Sequence, residues 1–326
     1  MTSLESIQEL IAPELKALNE RITSSLRTSN QLLNQVVETY LKTKGKQIRP
    51  ILVMLSARLL GNGTINNDVI SAAAGVEMLH NASLIHDDVV DDTKLRRDRP
   101  TINSIWDNHI AVLVGDFFVS TALQQAILTD DIRIIKTLST LGKTLSLGEI
   151  DQIYTAQNHI LSEQAYMGII SAKTASLFVS CVEMGGYAIK ANDEAIMILR
   201  DFAQLLGLCF QIRDDIFDYF EDPKIGKPTG NDLREGKVTL PLLHVLLQKD
   251  LPDNKEMTAL VSKDNLTNDE IATLINYARE HGGIEYAYET MNQLRKRAIE
   301  ILNIFPPSDT RQAFISIFDY IIARDI

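Results

Sequence analysis

The chain has 326 residues, 45% of them hydrophobic and 23% charged, which is ample apolar material for a core and far from the composition of a disordered chain. Its net charge of −11 and pI near 5.1 oppose a nucleic-acid backbone or an anionic membrane surface as main partner. Any anionic ligand must therefore be met by local cations or by metal. The two cysteines, Cys181 and Cys209, lie in apolar stretches and form neither a disulfide framework nor a zinc spacing. Inert core thiols in a reducing compartment are expected.

The first residues carry Glu5, Glu9 and Glu14 and lack a basic segment followed by an apolar run, so no secretory signal is expected there. No uninterrupted apolar stretch approaches the roughly 20 residues that cross a bilayer. The expectation is a soluble, cytoplasmic protein without stable membrane insertion. Apolar residues recur at helical spacing, as in Ile7, Ile11, Leu15 and Leu18, and in Ile196, Leu199, Phe202, Leu206 and Cys209. Alternating strand patterns are scarce, which predicts an all-α fold. Breaks at Gly45, 61–63, Arg99 with Pro100, 223–230, Pro252 and Pro306 with Pro307 divide it into about ten helices. No linker and no solenoid repeat interrupts the pattern, so residues 1–326 are expected to form one domain.

In chain order, a basic turn comes first, Lys44-Gly45-Lys46-Gln47-Ile48-Arg49-Pro50, ahead of the apolar helix 51–60. Residues 69–85 are apolar around most of a helix and run into His86-Asp87-Asp88-Val89-Val90-Asp91-Asp92. Cations follow at Lys94, Arg96, Arg97 and Arg99, and arginine forks suit phosphate oxygens. Lys173, in Ala172-Lys173-Thr174-Ala175, sits in an apolar stretch where it must reach water or an anion. A second buried helix, 196–212, runs into Asp214-Asp215-Ile216-Phe217-Asp218, and a glycine-rich loop over 223–236 ends at Lys237. Such a loop is suited to closing over a site.

The motif Asp-Asp-x-x-Asp thus occurs twice, each time at the end of a buried helix. Asp87 and Asp91 share a helix face, as do Asp214 and Asp218. Like charges so placed repel each other and the negative end of the helix dipole, unless a cation resides there. Oxygen-only ligands favour a hard ion such as Mg²⁺, which completes its shell with water and phosphate. A solvated acidic face would account for one such run but not for two matching ones. A metal phosphohydrolase built on His86-Asp87 would need further histidine ligands, and the others are scattered at positions 80, 109, 159, 244 and 281.

From Gly45 to Leu243 the chain resembles the trans-isoprenyl diphosphate synthases. The resemblance is carried by Ser83-Leu84-Ile85-His86-Asp87-Asp88, Gly115-Asp116, Lys173-Thr174-Ala175 and Gln211-Ile212-Arg213-Asp214-Asp215. It implies a large helical bundle around a deep central cavity, usually as a homodimer. It also implies Mg²⁺-dependent condensation of an allylic diphosphate with isopentenyl diphosphate, on two or three ions. On that resemblance, Asp87, Asp88, Asp91, Asp214 and Asp218 hold the metal. Lys46, Arg49, His80 and Arg97 bind isopentenyl diphosphate. Arg96, Lys173, Thr174, Gln211, Lys227 and Lys237 surround the allylic diphosphate. Asp87, Asp88, Lys173, Thr174 and Gln211 are its catalytic set, with Thr174 and Gln211 turning oxygen dipoles towards the developing cation. The chain departs from the family pattern at Lys44 and Gln47, where a glycine and an arginine are usual, and at Asp98, where a glycine is common.

The residues one turn before Asp87, Ala82 and Ser83, are small, where short-chain members carry a bulky aromatic or an insertion in the first motif. This predicts a long all-trans product, hexaprenyl to nonaprenyl, of the kind used for a quinone side chain, with the cavity floor deeper, near Met78, Gly75 or the helix after Gly115. A farnesyl or geranylgeranyl diphosphate synthase is the nearest alternative. A non-catalytic partner subunit usually has eroded aspartate motifs, and a terpene cyclase lacks the isopentenyl diphosphate set.

Overall fold

Seventeen α-helices and one π-helical turn are present among the described residues of the computed structural model, which are 4–42, 45–96, 99–220, 229–263 and 265–323. The all-α expectation holds. The one extended pairing among these residues is an antiparallel ribbon, Leu95–Arg96 against Arg99–Pro100, with Arg96 opposite Arg99. There are more helices than the ten or so expected because several ends are turned by residues other than glycine. Asp130, His159 and Lys190 take left-handed φ values of 51°, 47° and 55°. At two of these ends the next amide reaches back to an orphan carbonyl, Ile160 N–H to Thr155 O and Ala191 N–H to Gly186 O, both 3.0–3.1 Å.

The chain divides into two compact units. The first comprises Met1–Gly142, Leu177–Arg200 and Pro307–Ser316. At its centre lies the helix Asn67–Val90, in which every residue from 69 to 79 is buried. Asn66 caps it through Oδ1, which accepts from Val69 N–H at 3.0 Å. Helices Ala12–Ser25, Ile48–Leu60 and Asn108–Ile127 pack around it. The approach is close: a Cβ on Gly75 would lie 3.2 Å from the Ala122 carbonyl oxygen. Gly75 thus serves helix packing against Asn108–Ile127. Gly185 likewise admits Val53, whose carbonyl oxygen would lie 2.3 Å from an added Cβ.

The second unit comprises Lys143–Ser176, Asp201–Pro306 and Ile317–Ile326. Its core gathers Leu242, Val245 and Leu246 of the helix Leu240–Leu247 with Ile271, Leu274 and Ile284. Thr267 and Glu270 form a reciprocal capping box at the start of the helix Asn268–Glu280. Gly283 stands where a side chain would meet the Pro241 carbonyl oxygen at 2.2 Å.

Both thiols are buried, and burial pushes each well above its ordinary range, as expected of inert core cysteines. Three helical stretches, Asn108–Ile127, Glu163–Ala188 and Asp193–Phe217, are long and apolar enough to cross a membrane by length and composition. They escape a search for uninterrupted apolar runs because polar residues such as Asp116, Lys173 and Gln204 punctuate them. Between 44% and 56% of their most apolar windows is buried inside the protein.

Candidate active site

In the first unit the helix Asn67–Val90 delivers the first aspartate motif and then turns sharply. Asp92 takes φ 48°, and Thr93 N–H donates to the Asp88 carbonyl at 2.9 Å. The three motif aspartates separate by exposure. Asp87 and Asp91 remain accessible, whereas Asp88 is only 5% exposed and accepts from Arg96 Nε at 2.8 Å. Burial raises the Asp88 carboxyl above its ordinary range, and the Arg96 hydrogen bond and charge oppose that rise. Asn103 Nδ2 secures the turn by donating to the carbonyls of Asp88 and Thr93 at 3.0 and 3.2 Å. Asp88 and Arg96, assigned separately by sequence, are thus partners.

Gly115-Asp116 acquires a physical meaning in the same unit. The His86 ring lies against Gly115, where a Cβ would fall 2.2 Å from Nε2, and His86 Nε2 stands 3.5 Å from Asp116. Arg49 sits half-buried with its guanidinium 5.6 Å from the Phe178 ring centroid. Lys46 is exposed and His80 half-buried on the helix that carries Asp87. Gln47, the departure from the family turn, takes φ 53° and donates through Nε2 to Asn19 Oδ1 at 3.2 Å. Ala82 is fully buried; Ser83 keeps partial exposure and donates to the His80 carbonyl at 2.9 Å. Arg97 and Lys227, and likewise Lys44 and Asp98, lie outside the described residues.

The second unit brings Lys173, Thr174, Gln211 and Lys237 around one cavity of about 160 Å³, with Tyr166 and Asp215 in its wall. Lys173 and Thr174 belong to the π-helical turn Ser171–Ala175, inserted between the α-helices Glu163–Ile170 and Ser176–Ala188. Such insertions are frequent at functional sites because the extra residue re-aims side chains. Gly148 accommodates the widened turn: an added Cβ would lie 3.0 Å from both Ala172 Cβ and Lys173 N. Lys173 meets its anion there, pairing with Glu149 and donating to Gln152 Oε1 at 2.6 Å. Lys237 pairs with Glu235.

The second aspartate motif repeats the pattern of the first. Asp214 is exposed and Asp215 is 5% exposed. Asp215 Oδ2 accepts from the Tyr166 hydroxyl at 2.6 Å and Oδ1 from Gln211 Nε2 at 2.7 Å. Gln211 Oε1 in turn accepts from the Thr174 hydroxyl at 2.6 Å. Burial pushes the Asp215 carboxyl up to about 7, against those hydrogen bonds and with the Asp214 and Asp218 charges adding to the rise. The half-buried Asp232 is likewise raised, by desolvation first and then by the Asp215 charge. Asp218 has a structural duty: its two oxygens accept from the amides of Asn231 and Asp232, each at 3.0 Å. It thereby ties the start of the turn Asn231–Arg234 to the motif.

Tyr166, Glu149, Gln152, Asp232 and the anchoring role of Asp215 were not singled out by sequence. For Tyr166, Glu149 and Gln152 the signal was faint, polar side chains among apolar helical residues, and Asp232 lies in the 223–236 segment read as a loop. Among the described residues, no three histidine, cysteine or carboxylate side chains are gathered closely enough to hold a metal by themselves. The accessible carboxylates nevertheless fit a hard divalent ion that takes one or two protein oxygens and fills its shell from water and phosphate.

The family model described as polyprenyl synthetase matches residues 30–278. This chain belongs to that family, whose members are prenyltransferases. It is 32% identical to an octaprenyl diphosphate synthase of Haemophilus influenzae, over 97% of this chain and 96% of the relative. Among solved structures, a decaprenyl diphosphate synthase from Rhodobacter capsulatus superposes with a TM-score of 0.91 at 31% identity, covering 98% of this chain and 99% of that one. A geranylgeranyl pyrophosphate synthase from Bacteroides thetaiotaomicron superposes with a TM-score of 0.83 at 37% identity, covering 98% and 100%.

If Asp218 ties Asn231–Arg234 to the motif, Asp218→Ala releases it. The amides of Asn231 and Asp232 are expected to exchange with deuterium faster in the variant, by about tenfold for the loss of one charge-assisted hydrogen bond each. Unchanged protection in a hydrogen-exchange experiment would refute the tether.

Proposed function

We propose that this chain is a Mg²⁺-dependent synthase of long-chain all-trans polyprenyl diphosphates. It would extend an allylic diphosphate with isopentenyl diphosphate, one five-carbon unit at a time, to a quinone side-chain precursor. The family match supports the reaction class, and one observation supports the chemistry. Lys173, Lys237, Thr174 and Gln211 line a single cavity, so cations for a departing diphosphate stand beside oxygen dipoles for the carbocation it leaves. Ionisation creates both charges at once, and a site must stabilise both.

In this reading Lys173 and Lys237, with Arg96 and Lys227, take up charge on the allylic diphosphate. Lys46, Arg49, His80 and Arg97 hold the diphosphate of the incoming isopentenyl unit. Asp87 and Asp91 of the first motif and Asp214 and Asp218 of the second hold two or three Mg²⁺ ions, and Asp88, assigned to the same set by resemblance, also fixes Arg96. Bound Mg²⁺ makes diphosphate a better leaving group. The double bond of isopentenyl diphosphate attacks the allylic cation, a carbon–carbon bond forms, and the departed diphosphate takes the proton that restores the double bond. The whole chain is proposed to work as one catalytic domain, since the family match spans residues of both units.

The purified protein should incorporate labelled isopentenyl diphosphate onto farnesyl diphosphate with Mg²⁺, giving products well beyond twenty carbons. Chelation or Asp87→Ala should abolish incorporation. A product ending at fifteen or twenty carbons would establish the short-chain reading, which the 37% identity to a geranylgeranyl pyrophosphate synthase favours. No incorporation with any allylic primer would count against catalysis by this chain alone and point to a required partner subunit.

Product length tests the role of Ala82 and Ser83. Because Ser83 keeps exposure and Ala82 has none, Ser83→Phe is expected to shorten the product more than Ala82→Phe, which also strains packing. An unchanged product with Ser83→Phe in an active enzyme would remove this helix turn as the ruler.

A homodimer is also proposed, supported by large apolar side chains on the helix Asn108–Ile127: Leu113 is 63% exposed and Ile127 59%. Sedimentation at about twice the chain mass is expected, falling to one chain with Leu113→Lys and Ile127→Lys together. A monomeric wild-type protein would reject this.

A further inference from the structure

The hydrogen-bond chain that ends at Thr174 begins at Tyr166, a side chain with no role in the chemistry described above. Tyr166 lies on the α-helix Glu163–Ile170, one turn ahead of the π-helical turn, and is 7% exposed. Its hydroxyl donates to Asp215 Oδ2 at 2.6 Å, and Asp215 Oδ1 accepts from Gln211 Nε2 at 2.7 Å. Gln211 Oε1 accepts from Thr174 Oγ1 at 2.6 Å. All four residues line the same cavity.

The direction of these bonds matters more than their number. A threonine hydroxyl rotates freely, and it presents a positive or a negative end to a ligand according to where its proton points. Here the proton is committed to Gln211 Oε1, so the lone pairs are what Thr174 offers elsewhere. That commitment depends on the Gln211 carboxamide keeping its oxygen towards Thr174. A carboxamide is nearly symmetric in shape, and sterics alone do not choose between its two orientations. Asp215 chooses, because both of its oxygens act as acceptors here, Oδ2 from the Tyr166 hydroxyl and Oδ1 from the Gln211 NH₂ group. Asp215 is itself held by Tyr166 at its other oxygen.

We propose that Tyr166 is a positioning residue that, by pinning Asp215, sets the polarity of the Thr174 and Gln211 dipoles in the cavity. With the polarity set this way, Thr174 lone pairs face a developing allylic cation; with Gln211 reversed, its NH₂ would donate to Thr174 and the hydroxyl proton would face that cation instead. The catalytic consequence rests on the prenyl-transfer reading, while the arrangement itself is observable without any reaction.

Tyr166→Phe removes the hydroxyl and keeps the ring. Its kcat is expected to fall by about ten- to a hundred-fold, the rate equivalent of one hydrogen bond to a charged group, with KM for isopentenyl diphosphate unchanged. Adding Thr174→Val should cost no more than Thr174→Val alone, because both act through one dipole. Losses that multiply, or a kcat equal to that of the parent, would overturn the proposal. Should the phenylalanine variant fold poorly, Asp215→Asn supplies the same test, since its carboxamide accepts either orientation of Gln211. The second readout needs no activity: in protein labelled with [¹⁵N]glutamine, the Gln211 side-chain amide, assigned by its absence in Gln211→Glu, should shift and exchange faster in Tyr166→Phe. An unmoved Gln211 signal would overturn the network even if activity fell. An inactive parent enzyme would defeat the proposed function, and the amide signal would still decide the role of Tyr166.

Discussion

Carboxylates at the C-terminal end of a buried helix oppose both one another and the helix dipole, and the architecture of both aspartate motifs follows from managing that repulsion. Each motif separates its charges by depth. The second aspartate turns inward and is held by donors, Arg96 for Asp88 and Tyr166 with Gln211 for Asp215. The first stays accessible. Successive helical residues are rotated by about 100°, so a carboxylate beside another cannot share its face and must either reach solvent or find partners within the core. The inward aspartates thereby convert part of an electrostatic burden into anchors, and each anchor fixes a group on the motif's own unit that the proposed chemistry uses.

The anchors differ because their donors differ. A guanidinium holding Asp88 compensates charge with charge, and it fastens the residue that follows the first motif. The donors on Asp215 are neutral, and burial lifts that carboxyl to about 7 against them. What they provide is direction, since a phenol and a carboxamide can each be held in one orientation by the atom they face. The π-helical turn contributes at the same place by setting Ala172 and Lys173 against Gly148, in a register that a regular α-helix would not give.

Much of this was legible in the sequence, and the illegible part has a physical pattern. The helical period exposed the all-α fold, and the repeated Asp-Asp-x-x-Asp exposed the motifs. The isolated Lys173 in an apolar run implied either water or an anion for its charge, and the structure gives it the anion Glu149. Helix ends at Asp130, His159 and Lys190 were missed because glycine and proline are the strong markers of breaks, and a left-handed aspartate, histidine or lysine leaves little trace. Arg96 and Tyr166, as partners of Asp88 and Asp215, were missed for another reason. Arg96 follows Asp88 across a turn, and Tyr166 is 49 residues from Asp215, so neither pairing follows from helical spacing. Such pairings exist only once the chain has folded.

The acidic balance of the chain and the anionic ligands proposed for it are reconciled by the same local accounting of charge. Three of the cations proposed to meet the allylic diphosphate are each held by a carboxylate: Arg96 by Asp88, Lys173 by Glu149 and Lys237 by Glu235. A lysine near the apolar interior needs such a partner in the absence of substrate, because an unpaired buried charge costs more than the pair returns. The consequence is that these three cations bring little net positive charge, and a diphosphate approaching them meets their carboxylates as well. Attraction then requires positive charge that the chain does not supply at these positions. A divalent ion held by the accessible aspartates would provide it, so metal dependence in the proposed reaction would follow from how the protein pairs its own charges, quite apart from the leaving-group chemistry the ion would assist.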